Sequence, residues 1–255
     1  MQKSIGTLQK IYNSTPTNFI VCGGDWLNNN DTKEQACFKL GYIDGFMNSM
    51  FNNYYPILGN HDYNYQGKEN EEAEDNTGIL DNNTLKNLWF RKFEKCYYCF
   101  DGINSKNYVL DTGTDWNLPM NSYKWEQLQW LANSLLSDNN KNIIIWAHII
   151  YYTSEHLIAP MTSQLGNIIE SYNNHSTISV NGTTYDFSQC TGHIDFILSG
   201  HIHADFDGTI GGVPAIATKN TSLSIPNCDL CLVDYDNRKL KMIRVGSGKN
   251  REFDF

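Results

Sequence analysis

Four short polar segments, each closing an apolar run, constrain this chain more than any other feature: Gly23-Gly24-Asp25, Gly59-Asn60-His61-Asp62, His148 and Gly200-His201-Ile202-His203. The runs before them, residues 19–22, 54–58, 143–147 and 196–198, are short, rich in aliphatic and aromatic side chains, and read as buried strands. Open α/β sheets place their ligands at strand ends of this kind. Carboxylate, amide and imidazole donors from four strand ends would then converge, which is in outline a two-metal hydrolase.

The same residues resemble the calcineurin-like metallophosphoesterase superfamily, whose pattern runs Asp-x-His, Gly-Asp, Gly-Asn-His-Asp/Glu, a lone His, then Gly-His-x-His. The resemblance extends over nearly the whole chain from residue 5, but the first element is absent. It implies an α/β fold of two packed, mostly mixed sheets flanked by helices in four layers. One domain would cover residues 1–255, with the first strand missing and insertions near 64–87 and 151–190. The implied activity is hydrolysis of phosphate mono- or diesters by a dinuclear centre and a metal-bound hydroxide. Asp25 would bridge the ions, since one carboxylate can bind two cations about 3.5–4 Å apart.

Under that resemblance Asn60, His148 and His201 join Asp25 at the second metal position. His203 would join Asp25 at the first, whose other ligands belong to the absent Asp-x-His. Oxygen and imidazole donors without thiolate suit Mn, Fe or Zn ions. His61 would face the substrate phosphate or leaving group, with Asp62 holding its ring and favouring its protonated form. Two departures stand out: Asn28, where the family often carries Asp or Tyr, and Ile149-Ile150, where a small or polar residue and Pro are common.

Before Asp25 the pattern is ligand-free. Ile5, Leu8 and Ile11/Tyr12 recur at helical spacing, Pro16 stops the helix, and no Asp, Glu or His occurs in the segment. The expectation is an N-terminally truncated copy that begins inside the first crossover, with impaired activity and exposed sheet edges. The alternative is a non-catalytic binding module that keeps the fold. A third reading, a cysteine-based zinc protein, rests on Cys96/Cys99 and Cys228/Cys231. Both pairs lie in strand-like sequence, where residues three apart point to opposite faces, so neither pair alone suits chelation.

The net charge of −9 argues against a long nucleic-acid partner. Small phosphorylated substrates fit, because bound cations would reverse the local field. Glu69, Glu71, Glu72, Glu74 and Asp75 supply much of the acidity and read as a solvated segment. The longest apolar run, residues 143–147, is far too short for a bilayer. Seven cysteines without a disulfide framework lean toward a reducing, cytoplasmic compartment.

Elsewhere, Asp31 and Glu34 suggest a capping box for a helix bearing Leu40, Ile43, Met47 and Met50. Ser122 suggests the cap of a second helix with Trp125, Leu128, Leu131/Ala132 and Leu135 on its inner face. Residues 151–190 read as a long polar lid, insertion or loop. Gly211-Gly212 reads as a hairpin turn, and the tail as β-rich. His156 and His175 read as loop residues, and His193 as the start of a strand.

Overall fold

The computed structural model describes residues 2–15, 17–64, 78–112, 123–138, 140–151, 161–220 and 227–255. Pro16, the acidic cluster at 69–75, Ser122 and His156 lie outside them. Helix α1 (Gln2–Ser14) leads to strand β1 (Ile20–Cys22), and α2 (Lys33–Met50) returns the chain to β2 (Tyr54–Pro56), which pairs in parallel with β1. A 3₁₀ turn (Asn60–Tyr63) and α3 (Asn82–Leu88) precede β3 (Tyr98–Asp101), β4 (Lys106–Leu110), α4 (Trp125–Ser137) and β5 (Asn142–Ala147). Then come α5 (Thr162–Asn173), the hairpin β6 (Thr177–Val180) and β7 (Thr183–Asp186), and β8 (His193–Ser199). The chain continues through β9 (Phe206–Ile210), β10 (Val213–Ala217), β11 (Cys228–Asp234), β12 (Lys239–Val245) and β13 (Arg251–Asp254).

This is the mixed α/β architecture expected. Six strands form the main sheet in the order β3-β4-β5-β8-β10-β9, parallel from β4 to β10, with β3 and β9 antiparallel at the edges. Alternation along β5 sorts its two faces. Ile143, Ile145 and Ala147 join Leu128, Leu131 and Leu135 of α4 and Leu165, Ile168 and Ile169 of α5. Ile144 on the other face joins Phe196, Leu198 and Ile216, packed against Leu240 and Met242 of β12. The second sheet layer is in two pieces, the pair β1–β2 and the antiparallel β11-β12-β13.

One extra residue makes β8 fit this arrangement. Ile143 pairs with Ile194 and Ile144 with Phe196, so Asp195 is skipped as a bulge and the alternation changes phase. Phe196 can then share the β12-facing core with Ile144. An aromatic seam ties β1–β2 to the main sheet: Tyr55 stacks on Phe100 at 3.5 Å, and Phe19 meets Phe100 edge-on at 5.1 Å. Such pairs contribute about 0.5–1.5 kcal/mol each beyond burial.

Several expectations are corrected. The capping box of α2 lies one residue later, with Thr32 and Gln35 bonded reciprocally, because the Asp31 carboxylate is taken by Lys39 at 2.5 and 2.7 Å. Trp125 opens α4 and is 38% exposed, so the inner face begins at Gln127 and Leu128. The stretch read as a lid, insertion or loop carries α5 and a hairpin. Their polar residues face outward while Leu165, Ile168, Ile169 and Tyr172 supply a buried stripe. Helix α3 falls at the end of the stretch read as an acidic insertion, capped by Asp81 on the Thr84 amide at 2.7 Å. Strands β9 and β13 were not foreseen. As expected, Gly211-Gly212 turns β9 into β10, His175 sits just after α5, and His193 opens β8. All seven cysteines are free, and among the described residues none joins a metal-ligand group. No described helix is long and apolar enough to cross a membrane.

Candidate metal centre

Strands β1 and β2 run in the same direction and deliver their following loops side by side. Gly24 has φ +90°, which favours glycine, and its backbone lies directly on Gly59. A Cβ on Gly24 would strike Gly59 N and sit 2.9 Å from its Cα. A Cβ on Gly59 would strike Asp25 Oδ1 and N. Asp25 itself has φ +61°, a left-handed conformation that persists only when surrounding contacts hold it.

Those contacts come mostly from Asp62, which is fully buried. Its Oδ2 accepts from the amides of Asp25 at 2.8 Å and Gly59 at 2.9 Å, and its Oδ1 from Trp26 at 2.6 Å and Leu27 at 3.3 Å. The expectation that Asp62 holds the His61 ring is therefore corrected. Its carboxylate is committed to four backbone N–H groups and staples the two loops together. His61 enters through its backbone, donating its N–H to Asp25 Oδ1 at 2.9 Å, and its half-buried ring has no hydrogen bond among the described residues.

The main sheet supplies the other side. Strand β5 ends at His148, 3% exposed, and the parallel neighbour β8 ends at Gly200 and His201. Gly200 N–H donates to the His148 carbonyl at 3.0 Å, joining the two loops. The His148 ring bridges the two sheets: Nδ1 bonds the Gly23 carbonyl, and Nε2 lies 3.0 Å from Asp25 Oδ2. His201 Nδ1 lies 3.1 Å from Asn60 Oδ1, and the His148 and His201 rings meet edge-on at 5.4 Å. One ligand atom each from Asp25, His148 and His201 falls within 4.8 Å of the others. His203 is exposed and stands outside this group.

The donor set fits a cation. A carbonyl only accepts, so Gly23 fixes the proton of a neutral His148 ring on Nδ1. The Nε2 lone pair then faces the Asp25 carboxylate across 3.0 Å, and Nε2 is buried without a hydrogen-bond partner. Two acceptors face each other, an arrangement that a metal ion or a proton satisfies. Electrostatics agree. Burial pushes the Asp25 carboxyl up, but the charge of His148 and the N–H of His61 outweigh it and bring the group down to about 2. Burial works to lower His148, yet the Asp25 carboxylate prevails and raises it above its ordinary value. Burial, with the Asp25 charge added, pushes Asp62 up to about 7 against the amides of Gly59 and Trp26.

The structure thus brings Asp25, Asn60, the His61 backbone, His148 and His201 together just past the ends of β1, β2, β5 and β8. Sequence reasoning missed the Gly23 carbonyl that orients His148, because a backbone oxygen leaves no mark in residue identity. It also missed the backbone role of Asp62, which a ligand pattern does not encode.

A family model described as calcineurin-like phosphoesterase matches residues 3–205. No curated protein matches the sequence. Among solved structures, one similar chain is a Staphylococcus aureus protein named as a 5′-nucleotidase, in complex with α-ketoglutarate, with 9% identity and a TM-score of 0.43. The likeness covers 97% of this chain and 47% of that one, so the chain spans about half the length of that protein. With most of its residues inside one family match, and an Asp/His/His group able to hold the divalent metal such enzymes use, the chain belongs to the calcineurin-like phosphoesterase family.

Proposed function

We propose that this chain hydrolyses small phosphate mono- or diesters at a dinuclear metal centre built on Asp25. The observation that carries the reading is the convergence of Asp25, His148 and His201, with a buried Nε2 that makes no hydrogen bond and lies 3.0 Å from the Asp25 carboxylate. Bound cations supply Lewis acidity there, neutralising charge on the phosphoryl oxygens and lowering the pKa of a water nucleophile. Asp25, Asn60, His148 and His201 would hold one ion. By the family resemblance Asp25 and His203 would contribute to a second ion.

The chain's own residues do the rest. Asp62 keeps the Asp25 and Gly59 loops in register through four amide bonds. His61 is anchored by its backbone on Asp25, and its imidazole makes no hydrogen bond among the described residues, which suits it to pass a proton to the leaving oxygen. The acidic surface, with a net charge of −9, disfavours long nucleic acid and leaves small phosphorylated molecules as the substrate class.

The test is hydrolysis of p-nitrophenyl phosphate and bis(p-nitrophenyl) phosphate with added Mn²⁺, with and without EDTA. EDTA-sensitive turnover is expected. His61→Ala keeps bound Mn²⁺ but loses about 10²–10⁴-fold in turnover, whereas Asn60→Ala loses metal first. Mn²⁺ binding with no turnover on either ester favours the binding-module alternative. Equal metal loss in the two variants overturns the division between ligand and proton donor.

A further inference from the structure

Both histidines of the last ligand segment stand in left-handed backbone, His201 at φ +69° and His203 at φ +56°. Such a residue persists only where its surroundings over-determine it. On the N-terminal side the loop is held by Gly200 on the His148 carbonyl. On the C-terminal side the hold comes from Asp205, two residues past His203. Its Oδ1 accepts from the Lys219 amide at 3.0 Å, and its two oxygens take the Nη1 and Nη2 groups of Arg244, the former at 2.8 Å.

Arg244 is well placed to grip. Its side chain is 2% exposed, and the rest of its fork is spent on Asp229, from Nε at 2.8 Å and Nη2 at 3.1 Å, and on the Ser247 carbonyl at 2.9 Å. Arg251 stands behind, 3.4 Å from Asp205 and 3.5 Å from Asp229, while donating to the Ala217 carbonyl at 2.9 Å. Asp229, Arg244 and Arg251 belong to β11, β12 and β13. Arg244 and Arg251 therefore reach Asp205, the last residue of the family match, from outside that match, and Asp229 braces both arginines.

We propose that Asp229, Arg244 and Arg251 form a clamp that positions the metal centre: by fixing Asp205 they hold the strained His201–His203 backbone in the conformation that presents its imidazoles. The inference rests on the metal-centre reading above. A rigid bidentate guanidinium suits this task because it fixes orientation as well as distance. A clamp serving stability alone would shift unfolding without touching metal affinity, and that difference is measurable.

Asp205→Asn keeps the shape and an acceptor for the Lys219 amide but removes the charge that Arg244 grips. Mn²⁺ affinity by titration calorimetry and unfolding temperature in EDTA are measured for the wild type, Asp205→Asn and Arg238→Gln. The last variant breaks a different ion pair, from half-exposed Arg238 to buried Asp195 at 3.3 Å, near the opposite end of β8. Asp205→Asn is expected to weaken Mn²⁺ binding about 10–100-fold, the usual effect of losing a group that orients a ligand. Arg238→Gln is expected to lower the unfolding temperature and leave Mn²⁺ affinity unchanged. Arg244→Lys, which keeps the charge but not the fork, should fall between wild type and Asp205→Asn. Unchanged affinity in Asp205→Asn, or an equal loss in Arg238→Gln, overturns the positioning role while the metal centre stands. A wild-type chain that binds no Mn²⁺ overturns both.

Discussion

Gly59→Ala tests the closest packing in the site with a single methyl group. Gly59 has φ −94° and ψ 167°, which alanine adopts without strain. At such a position Gly→Ala ordinarily stabilises by about 0.4–1 kcal/mol, through the unfolded state. Here the added Cβ would strike Asp25 Oδ1 and N and lie 2.8 Å from its Cγ, where ordinary contact begins at 3.4 Å. Because one obstacle is backbone, a rotamer change does not relieve it, and the two strand-end loops must part. Overpacking of this kind costs about 1–3 kcal/mol. Parting the loops also strains the bonds from His61 N to Asp25 and from Gly59 N to Asp62, both 2.9 Å. Bonds to a charged acceptor contribute about 1.5–3 kcal/mol each, and partial loss of both brings the total to about 3–6 kcal/mol. At about 2–4 °C per kcal/mol for a chain of this size, the unfolding temperature should fall by about 6–24 °C. Calorimetric unfolding in EDTA gives the stability change, and Mn²⁺ titration should show at least a tenfold loss as Asp25 is displaced. An unfolding temperature equal to or above the wild-type value would refute the close approach of the Gly24 and Gly59 loops.

Other outcomes follow from the same geometry. His148 is raised above its ordinary 6.5, so in the metal-free chain its ion pair with Asp25 contributes fully below pH 6.5 and is lost as pH climbs through the raised value. Asp62, pushed from 3.8 to about 7, acts in the same sense, its contribution falling between those values. Unfolding temperature in EDTA should therefore decline from pH 6 to pH 9. Mn²⁺ affinity should rise over the same span, because the ion competes with the His148 proton; flat profiles in both assays would contradict the pairing. Gln127→Leu should destabilise by about 2–4 kcal/mol, since the buried amide brackets both the N–H and the carbonyl of Asp111 at 2.7 Å. Denaturant unfolding measures that loss, and a change under about 1 kcal/mol would mean that these backbone groups find other partners.

The sequence by itself determined the strands that carry function and the residues at their ends. Short apolar runs followed by Gly-Asp, Gly-Asn-His-Asp, His and Gly-His-x-His are local signals, and β1, β2, β5 and β8 appear where those runs stand. The β-rich reading of the tail also holds for β11 and β12, because pairing across a short turn depends on nearby residues alone. Helix α5 escaped because its apolar stripe is diluted by Ser, Asn and Gln, and only burial against the main sheet shows which face counts. The bulge at Asp195 escaped because register belongs to two strands at once. What tertiary structure alone decided is how the donors are aimed. Asp62 turned inward to backbone amides 35–37 residues away, His148 oriented by the Gly23 carbonyl, and Asp205 gripped from β12 are all contacts between distant segments. Residue identity records that a carboxylate or imidazole is present. Which group it meets is set by the packing of sheets whose relative placement no local pattern contains.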